Sequence, residues 1–509
     1  GHKEATSLIQ HIEGTKNVTV NQYDPLSYRN TMGEVNFGFN YDLNDENSIG
    51  ASYDLECEPY AKGHVDGQQE IFNEGQPVDI IKQKVLVDDI GGPTHELNAY
   101  YVGKVNKLGI DFNGTYLWQK TGRDMLETEE ATVLENREIH TASRRHNQLL
   151  AGKLVLSYPI AKGQLELGSE VSHTHSSGEY SNAEGIVADA STDMKEDNLA
   201  GFLAFSYPLG SFSMDAGLRY EYVSAKYYSF GKYEEEPSRN YSNWFPNLTL
   251  SWNKEPWAAS LAYTCKTKRP SYSSLRNEVQ YDNRYMYEGG DPYLRPTIAH
   301  DVSLDVMCNW ISFGVEYLYE DNPIIWYVTL YNHQDIAFMR NVNFSSKQTM
   351  TAYVIAAPKF DWYQPTWQVF FQKPFFDAEK YGAPRGLSKP ALGITWNNQF
   401  KLSSTWTSWV TLHANTTSYN AFRRYRSGYY ASMRMVKTFL DEALTVNFYA
   451  DDIFRSQKDQ WTMYGDHATL TKDSYNSARE IGVRVVYKFN SGHRKYKGSG
   501  AGNAEKSRF

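Results

Sequence analysis

The sequence predicts an all-β fold, a large antiparallel transmembrane β-barrel. Three observations predict it. Apolar and polar residues alternate with a period of two in one segment after another, and the links between these segments are alternately short and long. Aromatic residues make up 15% of the 509 residues, although the mean hydropathy is only −0.60. No apolar run of about 18 residues exists, which excludes a transmembrane helix. A secreted, tyrosine-rich sandwich array is the competing interpretation.

The alternation is clearest in "SFSMDAGLRYEY", residues 211–222. Its even positions are apolar or aromatic and its odd positions are small or polar, so one face suits lipid and the other suits water. The polar face carries charged residues in mid-strand, which a dry sandwich core would reject. We therefore expect Leu167 and Leu218 to face lipid, and Glu166 and Arg219 to face the lumen.

This alternation predicts nineteen strands along the chain. In order, they lie near residues 33–42, 48–58, 94–105, 108–119, 144–158, 164–175, 193–207, 211–225, 241–252, 257–267, 297–309, 311–322, 346–361, 365–373, 388–402, 404–418, 427–438, 443–450 and 474–489. Tight links such as "LNDEN", "NK" and "PLG" alternate with long ones. Outer-membrane barrels have this asymmetry, because their periplasmic turns are short and their extracellular loops are long.

Bacterial barrels have an even number of strands, so residues 4–22 are expected to supply one more, for a working count of about 20. The chain then divides into an N-terminal segment at 1–32 with one strand and a loop, the barrel at 33–489, and a basic, glycine-rich periplasmic tail at 490–509. Residues 1–13 show no signal peptide, so an exported chain would be mature or truncated here.

The net charge and the cysteines bear on possible nucleic-acid partners and on disulfide bonds. The net charge of −9 is small for this length and gives no sign of a nucleic-acid partner. Three widely spaced cysteines, Cys57, Cys265 and Cys308, do not make a disulfide framework. All three follow the apolar phase of their strands, so we expect them to be unbridged and to face lipid.

Several segments carry a family resemblance. The segment "RPSYSSLRN" and the later "YEGGDPYLRPTIAHDVSLDV" resemble the Arg-Pro-x-Tyr loop and the Gly-Asp-Pro-x-Leu-x-Pro strand start of TonB-dependent outer-membrane receptors, above all their C-terminal outer membrane protein beta-barrel family. The segments "YSNWFPNLTLSW" and "DDIF", and the tail "YKFNSGHRKYKGSGAGNAEKSRF", are similar to the same family. The likeness extends over roughly residues 30–509.

This resemblance implies a barrel of 22 strands, a plug domain inside it and a segment that contacts TonB. No plug-like domain precedes the predicted barrel and no TonB box is visible, so the chain is expected to be the C-terminal piece of a receptor with about 20 of a probable 22 strands. Energy coupling would then reach it through a plug not present in this chain. If the chain were complete, nothing within it is expected to gate the pore.

Two aromatic and basic segments are the candidate substrate-binding sites. The loop at 269–296 and the segment at 418–430 would lie at the extracellular side. Tyrosines give rigid amphipathic contact area and arginines suit anionic groups. The candidate residues are Tyr281, Arg284, Tyr285, Tyr287, Arg423, Arg424 and Tyr425. The alternative is an aromatic belt and a basic rim that meets lipid phosphates.

Other chemistry finds weaker support. His173 and His175 share one face of a strand but have no third ligand nearby, so no metal site is expected. The acidic stretch at 127–138 lacks the spacing of a calcium loop and is interpreted as a solvated charge run. No Gly-x-Ser-x-Gly motif occurs, and neither a catalytic site nor a cofactor is expected.

The function we expect is TonB-dependent uptake of a bulky nutrient: a siderophore, cobalamin, a glycan or a peptide. The chain would lie in the outer membrane as a multi-pass barrel, in contact with lipid and lipopolysaccharide. A passive, substrate-selective channel is the first alternative, and a surface enzyme or adhesin anchored by a barrel is the second.

Overall fold

The computed structural model describes residues 2–475, 478–489 and 497–509. These residues form 28 strands, one 3-10 helix at Ala378–Tyr381 and one helical turn, α1, at Asn503–Lys506. Neither helix in this described part is long and apolar enough to cross a membrane.

The strands of the first half are β1 His2–Glu13, β2 Asn17–Asn44, β3 Asn47–Asn73, β4 Gln76–Val105, β5 Leu108–Ala131, β6 Arg137–Ile160, β7 Gly163–Asn182, β8 Ala190–Leu209, β9 Phe212–Ser229, β10 Lys232–Lys254 and β11 Trp257–Lys268. Those of the second half are β12 Val279–Asn283, β13 Met286–Gly289, β14 Thr297–Cys308, β15 Ile311–Asp321, β16 Ile324–Leu330, β17 Ala337–Asn343, β18 Ser346–Ala356, β19 Tyr363–Phe375, β20 Ala391–Lys401, β21 Trp406–Asn415, β22 Ser418–Asn420, β23 Arg423–Tyr425, β24 Gly428–Phe439, β25 Leu444–Asp451, β26 Asp459–Tyr464, β27 Ala468–Tyr475 and β28 Glu480–Tyr487.

Nineteen of these strands pair in chain order and form what we call the wall. The wall consists of β2 to β11, β14, β15, β18 to β21, β24, β25 and β28, each antiparallel to the next. Each of the nineteen predicted strands overlaps one wall strand. The predicted count of about 20 is nevertheless wrong, because the described part of the large sheet has 24 strands. The additional ones are β1, from the predicted N-terminal strand, and the short loop strands β22, β23, β26 and β27.

The first hairpins of the wall are much longer than predicted. Most of the segments that were expected to be long loops there continue the strands instead. Strands β3 and β4 are 27 and 30 residues long and are joined by a turn at Glu74 and Gly75. At a rise of about 3.3 Å per residue, 30 residues span about 100 Å. A tilted strand crosses a bilayer in about 9–11 residues. The extracellular half of the wall therefore continues far beyond the membrane.

The apolar face of the wall reverses along its height. In the lower part, large apolar side chains point outward, as Phe37, Leu167 and Leu218 do with 66%, 56% and 44% exposure. In the upper part, the apolar residues Val20 and Ile71 point inward and are buried. Bulges in the β2–β3 and β3–β4 ladders lie between the two parts and shift the register. This reversal is the pattern expected of a wall whose lower part is surrounded by lipid and whose upper part is surrounded by water.

The predicted phase of the lower strands is confirmed by ion pairs on the inner face. Arg219 contacts Glu170 and Glu221 at 3.1 and 2.6 Å. The three cysteines are free. Cys57 and Cys308 are partly exposed, whereas Cys265 is buried. The thiol of Cys265 is therefore shielded, although the sequence predicted that it would be exposed to lipid.

The large sheet does not close into a complete ring. Over the described residues, positions 29–44 of β2 pair only with β3, and β28 pairs only with β25. The outer ends are joined instead, because β1 lies between the upper part of β2 and β27.

The C-terminal segment runs up the inner face of the wall. Lys497 contacts Asp42 beside a periplasmic turn, the backbone amide of Ala501 donates to Thr115, and that of Gly502 donates to Glu170. The predicted periplasmic tail at 490–509 thus has its described part inside the wall, and residues 490–496 of that prediction lie outside the described residues.

Candidate functional site

A second sheet lies across the extracellular mouth of the wall, and we call it the lid. Its strands β12, β13, β17 and β16 come from the loops after β11 and β15. β13 pairs in parallel with β17, which brings the two loops together. The lid is held by a buried apolar cluster, the mouth core, which includes the inward residues of the upper wall. Its fully buried members include Ile12, Val20, Ile71, Ile81, Val328, Phe422, Met463 and Leu470.

Aromatic rings form the centre of the mouth core. Phe422 has no exposed surface, and its ring centroid lies 4.5 Å from that of Tyr327 and 5.0 Å from that of Phe344. Phe422 sits in the loop between β22 and β23, Tyr327 in the lid and Phe344 directly after it. Tyr327 and Phe344 belong to the loop between β15 and β18, and Phe422 to the loop between β21 and β24. These two loops therefore share one core, and opening the mouth requires separating them.

Two of the predicted ligand residues hold the lid to the wall. Tyr281 and Arg284 are buried, and both contact Glu129 on β5: the Tyr281 hydroxyl donates at 2.7 Å and the Arg284 Nε donates as well. Glu129 has no exposed surface and Glu127 has 1%. The interpretation of 127–138 as a solvated charge run is therefore wrong for both glutamates, because β5 continues through them and turns them inward.

The other predicted residues are distributed around the lid. Tyr287 is buried and packs edge-on against Tyr331 at 5.1 Å, whereas Tyr285 is partly buried against the mouth core. The guanidinium of Arg423 lies 4.6 Å from the Trp461 ring. On the same short strand, Arg424 is exposed and Tyr425 is partly buried. A direct role in ligand binding stays a prediction for all of them.

Several acids of the upper lumen have raised pKa values. Burial, and then the neighbouring Glu129 and Asp282, raise the pKa of Glu127 to about 9. Burial likewise raises the pKa of Asp24 to about 7, against the lowering effect of its hydrogen bond from Gln22. At neutral pH the Glu127 carboxyl is therefore protonated and donates or accepts hydrogen bonds as a neutral group.

A chamber of about 570 Å³ lies beneath the lid. The wall side is lined by Tyr28, Glu58, Asp89, Arg123 and Arg145, among others, and the lid side by Tyr281, Asp282 and Glu288. Arg123 donates two hydrogen bonds, of 2.5 and 3.1 Å, to the Asp89 carboxylate. The chamber is polar and carries both signs of charge, which suits a hydrophilic cargo. The sequence did not identify these wall residues as part of a site. Inward-facing charged residues occur on nearly every strand, and only the position of the lid distinguishes the few that line the chamber.

The C-terminal segment forms part of the chamber boundary. Phe509 lines the chamber and stacks on Tyr272 at 5.4 Å. Arg508 donates two hydrogen bonds to Glu196, and Glu505 pairs with Arg269 at 2.8 Å. The lid across the mouth and this segment inside the wall both lie in the path through the wall. The expectation that nothing within the chain gates the pore stays a prediction.

The described residues contain no group of three or more side chains suited to hold a metal ion. His173 and His175 do share one face, but each contacts an aspartate of β8: Asp197 at 2.7 Å and Asp193 at 2.6 Å.

Comparisons with known proteins agree with this architecture. The model of the "Outer membrane protein beta-barrel family" matches residues 103–487. The structure of the "Copper transporter OprC" is similar with a TM-score of 0.57 at 9% identity, over 93% of this chain and 80% of that chain. The siderophore receptor PirA from Acinetobacter baumannii is similar with a TM-score of 0.51 at 9% identity, over 93% and 80%. At such identities the likeness is one of fold. No curated protein sequence matches this chain.

Proposed function

Because this chain belongs to the outer membrane protein beta-barrel family, we propose that it forms the barrel of a TonB-dependent receptor that takes up a bulky nutrient across the outer membrane. The nutrient classes are those expected from the sequence: a siderophore, cobalamin, a glycan or a peptide. Lipid and lipopolysaccharide would surround the apolar lower wall, and the TonB complex would supply the energy.

The observation that carries this proposal is the lid above the chamber. A passive channel needs a continuous aqueous path, whereas here the mouth is filled by a buried core around Phe422 and the lumen below holds residues 497–509. An energised receptor suits an occluded lumen, because its cargo binds outside and enters only when the occluding parts move. The two similar structures named above are a copper transporter and a siderophore receptor, which supports the same class.

Uptake assays test the proposal. Cells that carry the protein would be given copper(II), ferric siderophores, cobalamin, oligosaccharides and peptides, with and without an intact TonB complex. We expect one class to bind at the cell surface in both strains and to enter only in the strain with TonB. Entry that is independent of TonB, together with large single-channel conductance of the purified chain, would establish the passive channel instead.

A further inference from the structure

The C-terminal segment, residues 497–509, is bound to the inner face of the wall through its main chain. Four consecutive backbone N–H groups, those of residues 499–502, donate to side chains of the wall. The first two share the Asn113 Oδ1 at 2.9 and 3.2 Å, the third donates to the Thr115 Oγ1 at 2.9 Å, and the fourth donates to Glu170 at 3.1 Å. We call these three wall side chains the acceptor row.

The wall itself orients the acceptor row. Each member forms a hydrogen bond with a second wall residue: Thr115 donates to Asn98 at 2.7 Å, Asn113 donates to Asp111 at 2.6 Å, and Glu170 accepts from Arg219 at 3.1 Å. Because the Thr115 hydroxyl gives its proton to the wall, its lone pairs are left to accept an N–H group. None of these second residues belongs to the C-terminal segment, so the row stays oriented when the segment leaves.

The positions beside the acceptor row select small residues. Ala501 is 1% exposed and packs against Leu117 and Leu149. Gly502 has a φ of +67°, and a Cβ at this position would lie 2.7 Å from the Ala151 Cβ. A small residue followed by glycine therefore fits at this point, and a larger side chain at position 502 would push the segment off the wall.

Charged side chains of the segment pair with buried charges higher in the lumen. Arg508 donates two hydrogen bonds to Glu196, and Glu505 accepts from Arg269 at 2.8 Å. The Asn198 side-chain amide also donates to Glu505 at 2.9 Å, but its Oδ1 is buried without a hydrogen-bond partner among the described residues. The wall thus has positions for one cation and one anion, and an acceptor that this segment does not use.

We propose that the acceptor row and the charged positions above it form a peptide-binding site, and that the C-terminal segment is a tethered ligand which a cargo peptide displaces. The match is to the main chain, because a peptide presents one N–H donor per residue. The site leads to the chamber, which Phe509 lines, so a bound peptide reaches the space beneath the lid. This inference rests on the proposed function, because it selects peptides among the nutrient classes.

Binding of a fluorescent peptide to the purified full chain in detergent tests the site. The probe has the sequence of residues 499–509, SGAGNAEKSRF, and fluorescence anisotropy follows its binding. Two variants release the tethered ligand and leave the acceptor row unchanged: Gly502→Leu clashes with Ala151, and Arg508→Glu places a like charge beside Glu196. Both should bind the probe at least about tenfold more tightly than the unaltered chain, because the tethered ligand no longer occupies the site.

A matched pair of wall variants in the Gly502→Leu chain shows where the probe binds. Thr115→Val removes the acceptor of one buried N–H group and should weaken binding about tenfold. Thr411→Val is the control, because Thr411 donates to Asn397 at 2.8 Å on the inner face of β21, outside the acceptor row. It should leave binding unchanged. Absence of probe binding in both release variants, or equal effects of Thr115→Val and Thr411→Val, would overturn the proposal.

The peptide site and the proposed function fail in different ways. Probe binding without TonB-dependent entry of peptides would support the site and contradict peptide uptake by an energised receptor. TonB-dependent entry of another nutrient class, together with no probe binding, would overturn the site and support the proposed function.

Discussion

Replacing Arg284 with methionine should open the lid. The side chain of Arg284 is 6% exposed and its partner Glu129 is completely buried, so the substitution leaves a carboxylate without its cation. Removing one partner of a buried ion pair costs about 3–5 kcal/mol. Since about 1.4 kcal/mol changes an equilibrium tenfold, the lid should open roughly two to three and a half orders of magnitude more often. Hydrogen exchange of the amides in β12 and β13 measures this opening directly.

Two further variants determine whether the ion pair is the cause. Replacing Glu129 with leucine together with Arg284→Met removes both charges, and protection of the lid should then largely return. Arg385→Met is the matched control, because Arg385 is 90% exposed and its pair with Glu379 lies at the surface. The reasoning would be refuted if Arg284→Met changed lid exchange no more than Arg385→Met does.

Three other perturbations have defined outcomes. Leu218→Arg places a cation on the lipid face of the lower wall and should destabilise membrane assembly by about 2–4 kcal/mol. Asp215→Arg, on the inner face of the same strand, should assemble normally. Heat-modifiable gel mobility measures assembly of both variants. Phe422→Ala empties the centre of the mouth core and should weaken lid closure by about 3–5 kcal/mol, which is visible as faster exchange in the lid but not in the lower wall. Burial raises the pKa of Glu127 from 4.5 to about 9, so the closed lid holds a proton that an opened lid releases, and lid protection factors should fall as pH rises between these values. Glu127→Gln should weaken that pH dependence, because Asp24 with its pKa of about 7 still contributes to it. A protection factor that rises with pH would contradict the assignment.

The lower wall could be predicted because its signal is local. Leu218 and Arg219 are neighbours whose side chains must point to opposite faces of a strand, so the alternation alone assigns one to lipid and the other to the lumen. The tight turns then fix the order of the strands, since consecutive strands joined by a few residues pair with each other. The alternation and the tight turns were sufficient to predict the nineteen strands.

The upper wall and the lid depend on contacts between distant segments, which no local pattern reveals. Ile71 and Ile81 alternate as regularly as the lipid-facing residues, but they point inward because the lid provides an apolar surface there. Strands of three residues such as β22 and β23 are too short to show a period. Glu129, the partner of Arg284, lies 155 positions away in sequence. The sequence therefore showed that the loop is basic and aromatic, but it did not show which residue Arg284 contacts.

The two free edges of the wall have a further consequence that follows from chain direction. Strand β2 runs from the extracellular end at Asn17 to a periplasmic turn after Asn44, and β28 also runs downward, because β25 before it rises from the turn at Asp441. Nineteen is an odd number, so these edges run the same way, and direct pairing would make a parallel ladder in an otherwise antiparallel sheet. Only an odd number of intervening strands preserves the alternation. Among the described residues the lower half of β2 pairs only with β3. Its other edge is therefore a directional template that accepts an upward strand, the direction in which β1 already runs beside the upper half of β2.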